Sequence, residues 1–105
     1  MSVTADIEQS VILDQKIINT TTPPGKWKVV LINDNQTPMD FVIEVLQLIF
    51  KHNESTAQFI TQKVHEEGQA VAGVYTYEIA EQKSTETQSL ARANKYPLTL
   101  NLEQE

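Results

Sequence analysis

The sequence predicts a small α+β domain with three helices on one face of a three-stranded sheet, in the order β-α-α-β-α-β. Three observations carry that prediction. A strand-like run with Trp27, Val29 and Leu31 on one face leads directly into turn chemistry at Asn33-Asp34-Asn35-Gln36. Apolar residues then recur at helical spacing along two consecutive stretches. Near the C-terminus, Leu98-Thr99-Leu100-Asn101-Leu102 alternates without error.

Taken in order, Lys26 to Ile32 form the first strand. Thr37-Pro38-Met39-Asp40 opens the first helix, with Thr37 as N-cap, Pro38 at the first helical position and Asp40 at N3. Its buried stripe is Phe41, Val42, Val45, Leu46, Ile49 and Phe50, and it ends near His52-Asn53. The second helix runs from Glu54 to Glu67, turns Ala57, Ile60 and Val64 inward, and stops at Gly68. Ala70 to Tyr75 is a short strand. Thr76 caps a third helix whose first turn carries Glu78 and whose inner face carries Ile79, Ala80, Leu90 and Ala91. That helix ends near Asn94, ahead of the Tyr96-Pro97 break, and the last strand follows. Residues 1–25 differ: their aliphatic residues keep no period, and the segment closes in Thr20-Thr21-Thr22-Pro23-Pro24-Gly25. They are expected to form a flexible tail ahead of a core over 26–105.

Composition narrows the function. With 105 residues and 40% hydrophobic content, the chain can bury one modest core. Fourteen acidic against 8 basic residues give a charge of −6, which repels phosphate backbones and argues against nucleic acid as a partner. The longest apolar run, Val29 to Ile32, is far short of a membrane span, and the N-terminus lacks the pattern of a secretory signal. The cytoplasm, or an organelle interior after processing, is the expected compartment, and a monomer the expected state. There is no cysteine, and the 3 glycines are scattered, so thiolate chemistry and a phosphate loop are both missing. His65-Glu66-Glu67-Gly68 resembles the start of a metalloprotease helix, but no second histidine follows, and His52 lies on another element. Ser55, Ser84 and Ser89 have no base motif around them. No catalytic residue, metal or cofactor is expected.

Asn33-Asp34-Asn35-Gln36-Thr37-Pro38-Met39-Asp40-Phe41-Val42 carries more than turn and cap chemistry. It resembles the motif of the ClpS family, a strand followed by N-D-D-x-T-P-M-[DE]-F-V. The likeness continues in Val64-His65-Glu66-Glu67-Gly68, in Gly73 to Glu81, and in Ala91-Arg92-Ala93-Asn94 with Tyr96-Pro97-Leu98. These blocks stand in family order over nearly all of residues 26 to 102. The resemblance implies an adaptor that binds proteins with a bulky apolar first residue (an N-degron) and hands them to a Clp protease. Its partner would be the N-terminal domain of a Clp-class AAA+ unfoldase, ClpA- or ClpC-like, contacted by Glu78 and Lys83. The tail would take part in delivery.

The residues suit that task on physical grounds. A free α-amino group is a cation with three donors, so its capture needs acceptors and preferably negative charge. Asn33 offers an amide oxygen, Asp34 a carboxylate and neutral His65 a ring nitrogen. Met39, Val42, Val64 and Leu98 can line the apolar hole beside it, with Thr37 at its mouth. Two positions depart from the family pattern: Asn35 replaces a second aspartate, and Thr61 stands where a pocket-lining methionine is common. Two competing readings use the same residues. An acidic interaction module of the ribosomal-stalk type explains fold and charge but leaves Asn33, Met39 and His65 without a task. A small hydrolase built on His65 lacks a recognisable nucleophile.

Overall fold

Alternation in the strand β1 (Lys26–Ile32) sets the architecture, because Val29 and Leu31 fall on one face and are fully buried there. The computed structural model describes residues 25–105; the tail expected over 1–25 lies, through residue 24, outside the described residues. Two further strands, β2 (Gln69–Thr76) and β3 (Thr99–Gln104), flank β1 antiparallel on either side, giving the sheet order β2-β1-β3. The helices α1 (Met39–Leu48), α2 (Glu54–Glu67) and α3 (Tyr77–Ala93) occupy the connections, so the order is β-α-α-β-α-β as predicted. Register places Leu31 between Ala70 and Leu100, and Val29 beside Leu102. Phe41, Val42, Val45 and Leu46 from α1 join Ala57, Ile60 and Val64 from α2 and Ala80 and Ala91 from α3 in one core with these strand residues. Each fully buried Val, Leu or Phe contributes about 1.5–3 kcal/mol.

Local chemistry fixes the element ends. Asn53 accepts a hydrogen bond from the Thr56 N–H at 2.8 Å and so caps α2. Gly68 then takes a left-handed conformation, φ 90°, and its N–H returns to the Val64 carbonyl at 3.0 Å. In β2 the register skips Ala72, since Val29 pairs with Gly73 and Val30 with Val71. Gly73 leaves room beside that irregularity for the Tyr75 ring, which a Cβ there would displace, lying 2.6 Å from its Cζ.

Four expectations are corrected. Pro38, not Thr37, is the N-cap of α1, because the Thr37 hydroxyl is committed to Asp34. The helix ends at Leu48, earlier than His52, and Lys51 at φ 62° turns the chain away. Ile79 is 43% exposed; small residues, Ala80, Thr87 and Ala91, form the buried face of α3 instead. The last strand is Thr99–Gln104, with Leu98 buried just before it.

Candidate functional site

The loop that follows β1 is organised by one carboxylate. Oδ1 of Asp34 accepts from the N–H groups of Gln36 (2.8 Å) and Thr37 (2.7 Å), and Oδ2 accepts from the Thr37 hydroxyl at 2.7 Å. Burial alone would raise the Asp34 carboxyl, but the Thr37 hydroxyl and the two backbone donors outweigh it and hold the group below its ordinary value. Next to it, the Asn33 N–H donates to the Gly68 carbonyl at 2.9 Å. That bond ties the end of β1 to the C-terminus of α2, which places Asn33 beside the last helical turn, where His65 sits.

One cleft results, open at its mouth and narrow inside. Every residue expected to contact substrate lines it: Asn33, Asp34 and Thr37 from the loop, Met39 and Val42 from α1, Val64 and His65 from α2, and Leu98. Val42, Val64 and Leu98 are buried and make an apolar interior. Met39 is exposed and forms a flexible apolar lip; His65 is exposed at the rim. The partial negative charge at the C-terminus of α2, with ionised Asp34 near it, favours a cation at that rim. The arrangement can therefore hold an apolar group with a positive, hydrogen-bond-donating end.

Two lining residues were not among the expected contacts. Ile32, the last residue of β1, lines the cleft beside Asn33. Its signal was its place immediately before the motif. Thr61 is buried in the wall one turn before His65, and its hydroxyl has no hydrogen-bond partner. The signal there was the departure from the family's methionine.

Glu78 and Lys83 lie elsewhere. Lys83 is half-buried; its Nζ donates to the Ile49 carbonyl at 2.7 Å and lies 5.3 Å from the centre of the Tyr75 ring. Around it, exposed Leu48 and Ile79 border a shallow groove that shares no residue with the cleft. Glu78 is exposed in the first turn of α3. His52 is engaged in the fold, with Nε2 at 2.5 Å from the Ala72 carbonyl. Among the described residues no grouping of His, Asp and Glu could hold a metal ion. No described helix is long and apolar enough to cross a membrane.

Fold and site together define a small α+β domain in which the loop from β1 to α1 shapes one side of a partly apolar cleft. The chain belongs to the ClpS family: the family model for ATP-dependent Clp protease adaptor protein ClpS matches residues 22–101. A curated relative, the ATP-dependent Clp protease adapter protein ClpS of Sodalis glossinidius (strain morsitans), is 39% identical over 104 residues, spanning 98% of each chain. A similar solved structure is Agrobacterium tumefaciens ClpS2 bound to L-phenylalaninamide. It is 36% identical, with a TM-score of 0.75, and the match covers 79% of this chain and 100% of that one.

Proposed function

We propose that this adaptor binds proteins through a free, bulky apolar N-terminal residue and delivers them to a Clp-class AAA+ unfoldase for degradation. The observation that carries the reading is the cleft itself, which joins an apolar interior of Val42, Val64 and Leu98 to a rim with Asn33 and His65. The ligand of the Agrobacterium relative supports it: phenylalaninamide offers a free α-amino group, an aromatic side chain and an uncharged amide where a chain would continue. In this reading the first side chain enters between Met39 and Leu98, and its ammonium group donates to Asn33 and His65. Asp34 shapes the loop and supplies charge. Glu78 and Lys83 belong to the surface that meets the unfoldase's N-terminal domain, and residues 1–25 serve delivery. The cytoplasm is the expected setting.

The test is binding to short peptides that differ only at residue one, each with a free or an acetylated N-terminus. Peptides beginning with Phe, Tyr, Trp or Leu should bind and those beginning with Ser or Asp should not. Acetylation should weaken binding at least about tenfold, since it removes a charged hydrogen bond. Equal binding across the panel, or indifference to acetylation, overturns the proposal.

A further inference from the structure

We infer that Thr61 makes the cleft selective for an N-terminal tyrosine, by pairing its hydroxyl with the phenol of the bound residue. The inference rests on the proposed function and names the substrate class of that same site. Thr61 is 2% exposed, and buried polar atoms in folded proteins are nearly always hydrogen-bonded. Its Oγ1 has no partner. The other buried side-chain polar atoms without a partner among the described residues, on Trp27 and Thr87, belong to residues outside the cleft. Thr61 is thus the place in the binding wall where a hydrogen bond is wanting.

Position matches the far end of an aromatic side chain. His65 sits in the last turn of α2, beside Asn33, which the Asn33–Gly68 bond holds there, and these two residues would receive the ammonium group. Thr61 precedes His65 by four residues, about one helical turn or roughly 5.4 Å along the axis. A first residue anchored at the rim by its amine extends its side chain past Val64 toward Thr61. Threonine in a helix has two accessible χ1 rotamers, so its hydroxyl can be re-aimed without moving the backbone. A phenol both donates and accepts, as does the threonine hydroxyl, so the pair can form in either sense. Phenylalanine and leucine offer no partner and leave Oγ1 unpaired. A site with a buried hydroxyl seeking a partner discriminates against the analogue that lacks one.

The experiment measures affinities of free-amine peptides beginning with Tyr, Phe and Leu for the wild type, Thr61→Val and Thr61→Ser. Thr61→Val keeps the side-chain shape, and thermal melting checks that each variant is folded. Wild type should prefer Tyr to Phe. In Thr61→Val that preference should shrink about three- to tenfold through weaker Tyr binding, with Phe binding unchanged or tighter. Thr61→Ser should retain the preference. Should the valine variant fail to fold, the wild type alone decides, because Phe bound as tightly as Tyr refutes the pairing. Tight binding of all three peptides with the same Tyr-to-Phe ratio in wild type and Thr61→Val overturns this inference and leaves the proposed function standing. Absence of any peptide binding by the wild type removes both.

Discussion

Asp34 stabilises the loop most while it is ionised, since both of its oxygens then act as acceptors, and protonation turns one of them into a donor. Its folded-state pKa is lowered, because the hydrogen bonds from Thr37 and Gln36 overcome the burial that would raise it. The stability it contributes is therefore complete above the unfolded-state value and fades as pH falls through the folded-state value. Asp34→Ala should cost about 1 kcal/mol near neutrality, on the scale of a lost cap, and should flatten the acid limb of the stability profile. Denaturant melts across acid pH check this. A variant as stable as the wild type near neutrality would show that the loop is held by other contacts. In the proposed function His65 accepts a hydrogen bond from the ligand's ammonium group, so His65→Ala should weaken peptide binding at least about tenfold and leave the melting temperature unchanged. Unchanged affinity in the variant would mean that the ammonium group is held by other acceptors.

At the scale of elements, Lys83 joins the end of α1 to α3 and β2. Its ammonium satisfies the Ile49 carbonyl and lies over Tyr75, the ring that the missing Cβ of Gly73 accommodates. Lys83→Met keeps the packing of the stem and removes the charge, so it should lower stability by about 1 kcal/mol. In a domain of this size that is roughly 4–8 °C in Tm. An unchanged melting temperature would leave Lys83 as a surface residue free for docking alone. How legible the elements were depends on what marked them. The bounds of α2 were readable because Asn53 and Gly68 are strong end signals. The inner face of α3 was misread at Ile79, since the face that packs on the sheet is built from Ala80, Thr87 and Ala91, which carry little hydrophobic signal. Thr37 was misread as a cap because its sequence position suits one equally well; only the geometry shows its hydroxyl turned to Asp34. The cleft was legible through its motif, because the loop, two helices and Leu98 each contribute a short block. The unpaired state of the Thr61 hydroxyl was not, because it depends on what surrounds a side chain in three dimensions.

At the scale of the whole molecule, β1 has two dissimilar ends. Lys26, which continues from residues 1–25, opens it, and Asn33 at the cleft follows its last residue. Seven residue steps separate them, about 23 Å at roughly 3.3 Å per residue. The strand is already near full extension, so tension between tail and cleft runs along its covalent backbone and breaks no ladder hydrogen bond. The two termini are placed otherwise. Trp27 pairs with Gln104, and the Glu105 N–H donates to the Lys26 carbonyl at 2.9 Å, so the ends of the described chain lie side by side. Pulling them apart would strip β3 from β1 one pair at a time, as a zipper opens. Force spectroscopy with handles on the N-terminal segment and residue 105 should therefore unfold the domain at lower force than handles on that segment and residue 35. Equal forces would mean that the sheet is not what yields first. The domain is thus a stiff link for a load applied along β1, and a weak one for a load that pulls Lys26 and Glu105 apart.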